Sequence, residues 1–179
     1  LQILKKRNIN IIEPTSGELA SGLDGKGRME EPESIVSIVN QFFLDRATLK
    51  SINILISAGP TYESIDPVRF LGNRSSGKMG FALAKEAAKR GANVSLISGP
   101  VDLDTPENVH RTNVSSATEM KKEIENKFDD IDVLIMSAAV ADYQPVVSYK
   151  RKIKKSDDNM VIELKKTPDI LKDLAKKKK

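Results

Sequence analysis

The chain has 179 residues, no cysteine and one histidine, and 30% of its residues are charged. This length suits one medium domain, or one domain and part of another. The missing cysteines exclude disulfides, thiolate metal sites and a cysteine nucleophile, and the single His110 argues against a zinc site or a Ser-His-Asp triad. Because no transmembrane run and no signal peptide are visible, we expect a cytoplasmic protein with no metal site of its own and no membrane partner.

The net charge of +4 is unevenly distributed along the chain. Residues 150–179 hold 12 Lys/Arg and 5 Asp/Glu, a net of +7, so the rest of the chain carries 4 − 7 = −3. A basic end is compatible with nucleic-acid binding. However, only 4% of the residues are aromatic, and none alternate with the basic residues to stack bases. We favour a solvated face or a site for a phosphorylated small molecule, and a basic nucleic-acid-binding module on a Rossmann-like fold stays the alternative.

The first 50 residues differ in character from the rest. Residues 14–33, PTSGELASGLDGKGRMEEPE, are rich in Gly and Pro and predict a long loop. Pro32 suits the first turn of a helix, where its missing N–H costs nothing. Apolar residues then recur at helical spacing from Ile35 to Phe42. We therefore predict a helix from Pro32 to about Arg46.

From Ser51 onward, short apolar runs alternate with helical patterns. The pattern predicts strands over 52–59, 93–100 and 131–139, with helices over 78–92 and 116–128 between them. Ser116 and Glu119 form a capping box at the start of the second of these helices. This order implies an α/β fold, a Rossmann-like doubly wound, mostly parallel sheet with flanking helices.

The last part of the chain predicts a basic loop, a short strand near 160–164 and a helix starting at Pro168. The sequence then stops without the further strands of a complete sheet, so we expect the sheet to be C-terminally incomplete. In doubly wound sheets, ligands bind beyond the carboxyl ends of the strands. Small residues follow the three predicted strands there, in SAGPT (57–61), ISGP (97–100) and SAAVADY (137–143).

Residues 72–79, GNRSSGKM, resemble a phosphate-binding P-loop but place Met79 where the motif needs a hydroxyl. A P-loop also joins strand and helix directly, whereas PTYESIDPVRFL intervenes here. The Rossmann fingerprint G-x-G-x-x-G is absent, which argues against a nicotinamide cofactor. What remains is a helix N-terminus suited to an anion. Ser75 and Ser76 either donate hydrogen bonds to that anion or only cap the helix, and the Asn73 amide can hold a carbonyl or oxyanion.

Residues 54–100, ILISAGPTYESIDPVRFLGNRSSGKMGFALAKEAAKRGANVSLISGP, resemble the opening of bacterial phosphopantothenoylcysteine synthetase. That enzyme is the ligase half of the bifunctional coenzyme A biosynthesis flavoprotein. SAAVADY and KRKIKK resemble its next two motifs, in the same order. Residues 14–36 are similar to the C-terminal substrate clamp of the partner enzyme, phosphopantothenoylcysteine decarboxylase. We therefore assign 1–50 to the end of a decarboxylase domain and 51–179 to a truncated synthetase domain.

The resemblance implies a two-step ligation. First, 4′-phosphopantothenate attacks CTP, releasing pyrophosphate and giving an acyl-cytidylate; then the amine of cysteine displaces CMP. CTP with Mg²⁺ is the implied co-substrate, and FMN belongs only to the decarboxylase half. The implied partners are 4′-phosphopantothenate, cysteine and CTP, with no nucleic acid, and the full-length protein is expected to be a homo-oligomer.

The resemblance also implies the roles of individual residues. Asn73 matches the family asparagine that contacts the acyl-cytidylate, and Lys152 matches the lysine of the activation step. Asp142 matches a residue at the cytidine site. The implied nucleotide-binding residues are Met136, Ser137, Ala138, Asp142 and Lys152. The implied substrate- and acyl-phosphate-binding residues are Asn73, Ser75, Ser76 and Gly77.

Two departures from the family pattern limit what the resemblance implies. In the clamp, the family usually has Ala-Cys-Gly where this chain has Ala20-Ser21-Gly22. Because a serine hydroxyl is a far weaker acid than a thiol, Ser21 should donate a proton poorly, and we expect no decarboxylase activity. The synthetase half of the family also continues well beyond residue 179, so we expect this chain alone to bind CTP weakly or not at all.

Overall fold

The computed structural model describes residues 1–7, 9–18, 24–44, 48–155 and 159–177. It divides into two compact units, residues 1–47 and residues 48–179. Within the described ranges, no helix is both long enough and apolar enough to cross a membrane. The clamp position Ser21 lies outside the described residues.

The N-terminal unit contains two helices and a hairpin. Its elements are α1 (Gln2–Lys6), β1 (Thr15–Glu18), β2 (Asp24–Arg28) and α2 (Pro32–Leu44). The strands β1 and β2 pair antiparallel, so the prediction of a long loop over 14–33 is wrong for its described part. The prediction relied on composition, because glycine has a weak propensity for strands. Pairing between the two strands nevertheless provides hydrogen-bond partners for their backbone groups. The helix starts at Pro32 as predicted, and its expected end near Arg46 lies outside the described residues.

The C-terminal unit contains the remaining strands and helices. Its strands are β3 (Asn53–Ala58), β4 (Tyr62–Ser64), β5 (Phe70–Gly72), β6 (Asn93–Ser98), β7 (Val109–Asn113), β8 (Val133–Met136), β9 (Tyr143–Pro145) and β10 (Leu164–Lys166). Its helices are α3 (Lys78–Lys89), α4 (Ala117–Lys127) and α5 (Ile170–Ala175), with a 3₁₀ turn at Phe128–Asp130.

Four strands form a parallel sheet in the order β7-β6-β3-β8. The three predicted strands of the sheet are thus confirmed as β3, β6 and β8. The fourth, β7, pairs only with β6 at the edge of the sheet, and its sequence VHRTN has no apolar run that would have revealed it. The doubly wound α/β fold is confirmed.

Side chains alternate between the two faces of the sheet along β3, so its residues belong to two separate cores. Ile54, Ile56 and Ala58 pack with Phe81 and other residues of α3 on one face. On the opposite face, Leu55 packs with residues of α4 and α5, among them Met120, Ile124, Ile170 and Leu174. Each fully buried aliphatic side chain contributes about 1.5–3 kcal/mol relative to exposure. This two-sided core holds the carboxyl ends of the strands in place.

Local sequence signals set the starts of α4 and α5. The Ser116 side chain accepts a hydrogen bond from the Glu119 N–H at 3.2 Å, which confirms Ser116 as the N-cap, whereas the Glu119 carboxylate accepts from the N–H of Ser115 at 2.7 Å rather than from that of Ser116. Asp169 caps α5 by accepting from the Lys172 N–H at 3.0 Å, so that helix begins at Ile170 rather than at Pro168. The strand expected near 160–164 is β10, displaced toward the C-terminus because Leu164 pairs with Pro145 of β9.

An antiparallel hairpin, β4–β5, lies between β3 and α3. Its two strands are three residues each, too short to show an alternating pattern in the sequence. The rings of Tyr62 and Phe70 stack across it with centroids 3.9 Å apart. This hairpin brings residues 61–73 against several loops of the unit, as described below.

Candidate functional site

The sheet has a topological switch point between β3 and β8. From β3 the chain proceeds to β6 and β7 on one side, and then returns to β8 on the other side of β3. Ligands of such sheets bind in the crevice outside the carboxyl ends at this point. A cavity of about 790 Å³ lies beyond the carboxyl end of β8, lined by residues 136, 138–143 and 166–171. The strand ends converge at this edge, since Pro60 bridges Ala139 and the Gly99 N–H donates to the Ala58 carbonyl.

The loop after β8 is held by two buried hydroxyls. The Oγ of Ser57, at the end of β3, accepts from the N–H groups of Ser137 and Ala138 at 3.1 and 3.2 Å. The Oγ1 of Thr61 accepts from the Ala141 N–H at 2.9 Å. Both Ser57 and Thr61 are fully buried. The backbone that forms one wall of the cavity is therefore pre-organised.

Asn73 reaches the same loop from the end of β5. Its Nδ2 donates to the carbonyl oxygens of Ala139 and Val140 at 3.2 and 3.1 Å. The side chain thus lies against the wall of the cavity, with Oδ1 left to accept. Donation from Nδ2 to a bound acyl group would require one of these two hydrogen bonds to be exchanged.

The residues before α3 bring the start of the helix close to the end of β3. The Ser75 Oγ accepts from the Gly77 N–H at 3.4 Å, but Gly77 is the N-cap of α3 and no side chain among the described residues caps this helix, so a capping role of Ser75 is not supported; Ser76 is exposed. Gly77 has a φ of 72°, and a Cβ there would lie 3.3 Å from the Gly59 nitrogen. Residues 59–77, including the hairpin, separate β3 from α3, so the P-loop interpretation is excluded.

The predicted nucleotide residues fall around the cavity, apart from Lys152. Met136, Ala138 and Asp142 line it. Ser137 lies beside them, and its buried Oγ has no hydrogen-bond partner among the residues that the structure describes. Buried hydroxyls are normally paired, so this oxygen is an exception among the described residues, and Ser137 is not one of the residues that line the cavity.

Lys152 is exposed and does not line the cavity. It belongs to the basic segment, which we define as residues 149–155. The turn of the β4–β5 hairpin fastens this segment: the Tyr149 N–H donates to the Ile65 carbonyl at 2.9 Å, and the Ile153 N–H donates to Asp66 Oδ2 at 3.1 Å.

Asp66 is the buried charge of the site region, with a side chain that is 0% exposed. Its carboxylate accepts from the backbone N–H groups of Val68 and Arg69 and from the Arg69 guanidinium. Hydrogen bonding from Arg69 lowers the pKa of Asp66 far below its usual range, against the opposing effect of burial. The carboxylate is therefore charged at any pH at which the protein functions.

Two carboxylates of the hairpin were missed by the sequence analysis. Asp66 contacts a residue 87 positions away, and Glu63 accepts from the Ala117 N–H at 2.8 Å, 54 positions away. Such pairings leave no local pattern in the sequence. The only available signal was Asp66-Pro67, a dipeptide typical of a turn.

The described residues contain no group of three or more His, Asp or Glu side chains arranged to hold a metal ion. Asp142 and Asp169 are the carboxylates that line the cavity. One or two carboxylates fit a Mg²⁺ ion that is bound mainly through substrate phosphates, as is usual for this ion.

Comparison with known proteins gives consistent matches. The family described as DNA/pantothenate metabolism flavoprotein C-terminal domain matches residues 49–179. A relative from Haemophilus influenzae, named coenzyme A biosynthesis bifunctional protein CoaBC, is 50% identical over 175 residues, which cover 98% of this chain and 44% of the relative. A relative from an unknown prokaryotic organism, named cysteine/cysteine sulfinic acid decarboxylase, is 50% identical over 184 residues, covering 100% of this chain and 51% of the relative.

A solved structure, the C-terminal domain of coenzyme A biosynthesis bifunctional protein CoaBC, has the same fold with a TM-score of 0.65 and 46% identity. The match covers 75% of this chain and 62% of that domain. The chain spans about half the length of the curated relatives it matches.

Proposed function

Because the chain belongs to the DNA/pantothenate metabolism flavoprotein C-terminal domain family, we propose that it acts in coenzyme A biosynthesis as a CTP-dependent ligase that joins 4′-phosphopantothenate to cysteine. The observation that carries this proposal is the contact of Asn73 with the loop after β8, whose residues line a cavity beyond the carboxyl end of that strand. A rigid loop, a helix N-terminus and a nearby basic segment are what binding of a nucleotide and an acyl phosphate requires.

The first step joins the carboxylate of 4′-phosphopantothenate to the α-phosphorus of CTP while the bond to pyrophosphate breaks. Negative charge then accumulates on the leaving pyrophosphate. Mg²⁺ supplies positive charge to the triphosphate, and Lys152 supplies a flexible cation that follows the leaving group. No side-chain nucleophile is needed, which agrees with a chain that has no cysteine and a single histidine.

In this proposal, residues of the cavity wall recognise the nucleotide. The exposed Asp142 carboxylate can accept from an exocyclic amine or a ribose hydroxyl, and Ser137 lies between two residues of the cavity lining. Met136 and Ala138 supply apolar contact beside them.

The second step is attack of the cysteine amine on the acyl carbon, with CMP as leaving group. A tetrahedral oxyanion forms on the way. In this proposal Asn73 orients the acyl group, while Ser75, Ser76 and the N–H of Gly77 bind the acyl phosphate or the substrate near the start of α3. Donors aimed at such an oxyanion are each worth about 10²–10³ in rate.

The test is pyrophosphate release from CTP with 4′-phosphopantothenate. Because this chain matches 62% of the solved domain, the assay uses the chain continued by the remaining segment of the Haemophilus influenzae relative. We expect release to need both substrates, and CTP to protect the protein thermally where ATP does not. Lys152→Ala should slow release by about 10²-fold, whereas Lys78→Ala, an exposed lysine of α3, should not.

Three outcomes would contradict the proposal. The first is the absence of any CTP-dependent release. The second is a normal rate in Lys152→Ala. The third is salt-sensitive DNA binding with no effect of nucleotide, which would favour a nucleic-acid-binding module instead.

The remaining expectations stay predictions. They are the cytoplasmic location, the homo-oligomeric state of the full-length protein, the presence of FMN only in the decarboxylase half, and the absence of decarboxylase activity. Carbon dioxide release that depends on FMN would contradict the last of these, and the relative named as a decarboxylase makes that assay worth performing.

A further inference from the structure

The turn of the β4–β5 hairpin holds the basic segment through three hydrogen bonds. Two are the bonds from Tyr149 and Ile153 to Ile65 and Asp66 described above. The third runs from Arg69 Nη2 to the Ile153 carbonyl at 3.0 Å. Both backbone polar groups of Ile153 are thus bound by one ion pair, although Ile153 lies 84 to 87 positions further along the chain.

Asp66 connects these contacts. Its buried Oδ2 accepts from Arg69 Nε at 3.0 Å, from Arg69 Nη2 at 2.5 Å and from the Ile153 N–H at 3.1 Å. Its Oδ1 accepts from the Val68 and Arg69 N–H groups at 2.9 Å each. Hydrogen bonds to a charged group are about twice as strong as neutral ones, so one carboxylate fixes both the turn and the segment.

The same hairpin also reaches the cavity. Asn73 follows directly after β5 and donates to the carbonyls of the loop after β8. The turn of this hairpin therefore holds the basic segment, and the residue that follows its second strand contacts the loop that lines the cavity.

We infer that Asp66 is a positioning residue: through Arg69 and Ile153 it fixes the basic segment, and with it Lys152, relative to Asn73. The inference rests on the proposed function in so far as it concerns Lys152. Its consequence is that a buried carboxylate without substrate contact should control the rate of the first step. Lys152 itself is exposed, so its position depends on the backbone at Ile153 rather than on packing of its own side chain.

The first test is hydrogen exchange in the chain itself. In Asp66→Asn, amide exchange in residues 149–155 should be faster by about tenfold or more, because charged hydrogen bonds to the segment are lost. Glu63→Gln is the matched control, since it alters a buried carboxylate of the same hairpin that binds α4 instead. Glu63→Gln should leave exchange in 149–155 unchanged.

The second test is a double-mutant cycle on pyrophosphate release. It uses the extended protein, which is the chain continued at its C-terminus as in the assay described above. Asp66→Asn should slow release by about tenfold when Lys152 is present and by less than about twofold in a Lys152→Ala background, because coupled residues are non-additive. A merely structural loss would slow both backgrounds equally. Since Asp66→Asn also weakens the turn, Ile153→Pro serves as a second variant: it removes the N–H that donates to Asp66 and leaves the hydrogen bonds of Asp66 within the turn in place, although the proline ring also restricts the backbone at 152 and 153.

The outcomes separate the two claims. If Asp66→Asn and Ile153→Pro both leave exchange in 149–155 unchanged, or if Asp66→Asn slows both backgrounds equally, the positioning role is wrong, whatever Lys152→Ala does. If Lys152→Ala releases pyrophosphate normally while exchange in 149–155 rises in Asp66→Asn, the anchoring stands and the proposed role of Lys152 fails.

Discussion

Asn73 lies between the hairpin and the loop after β8, and its Nδ2 donates to two backbone carbonyls of that loop. The side chain can therefore serve in two ways: it holds the wall of the cavity, and it can exchange one hydrogen bond for an acyl oxygen. The proposed function needs the second role only after the acyl-cytidylate has formed. The two steps of the reaction should accordingly respond differently to its removal.

We expect Asn73→Ala to keep pyrophosphate release within about threefold of the unsubstituted protein but to slow amide formation by about 10²-fold, the usual cost of losing one oxyanion donor. Quenched-flow measurement of both products in one reaction tests this. Asn93→Ala is the control, because Asn93 lies at the opposite, amino end of β6 and bonds to Asn53. Equal slowing of both products in Asn73→Ala would show that the residue only supports the wall.

At the scale of elements, the close approach of α3 to β3 sets the position of the helix N-terminus. A Cβ on Gly80 would lie 2.5 Å from the Ala58 Cβ and 3.1 Å from the Ser57 carbonyl oxygen. Ser57 also holds the loop after β8 through its hydroxyl. Any displacement at Gly80 is therefore transmitted toward the cavity.

We expect Gly80→Ala to lower the free energy of unfolding by up to about 2 kcal/mol, because overpacking costs about 1–3 kcal/mol and the gain in helix propensity offsets about 1 kcal/mol of that cost. Chemical denaturation measures the change, and CTP affinity should fall with it. Ala82→Gly, on the exposed face of the same helix, should lose about 1 kcal/mol without changing CTP affinity. A more stable Gly80→Ala protein would contradict this account of the packing.

The sequence predicted the elements whose buried apolar residues form a recognisable run or recur at a regular spacing. Strands β3, β6 and β8 carry apolar runs, and α4 carries its N-cap Ser116 and the buried Met120 and Ile124. It did not predict β4, β5 or β7, because these strands are short or polar and owe their structure to pairing with neighbours.

The site followed the same division. The strand ends and Asn73 were accessible from spacing and resemblance, and Asn73 does lie against the loop after β8. The anchoring of the basic segment by Asp66 was not accessible, since it depends on contacts between residues more than 80 positions apart.

At the scale of the whole molecule, the structure shows which partners the excess lysines near the C-terminus have. Part of the excess positive charge is neutralised by ion pairs: Lys121 of α4 pairs with Asp173 of α5, Lys177 pairs with Glu125 of α4, and Lys176 pairs with Asp173 at the end of α5. The hydrogen bond from Lys121, and then that from Lys176, lowers the pKa of Asp173 to about 2, so these pairs persist at neutral pH. The basic segment contributes further positive charge beside the hairpin, which suits a triphosphate more than an extended nucleic acid.

The two units also differ in what they bring to the proposed reaction. The buried core clusters and every described residue of the site belong to residues 48–179. Residues 1–47 supply none of the predicted synthetase contacts. The claim that activation of the carboxylate precedes amide formation therefore concerns the C-terminal unit.

The most direct measurement of that claim is single-turnover pyrophosphate release in the extended protein with cysteine left out. We expect a burst of pyrophosphate approaching one equivalent per active site, an acyl-cytidylate that stays bound, and release of CMP only when cysteine is added. Pyrophosphate that appears only after cysteine is added, or CMP release without cysteine at the same rate, would contradict the account.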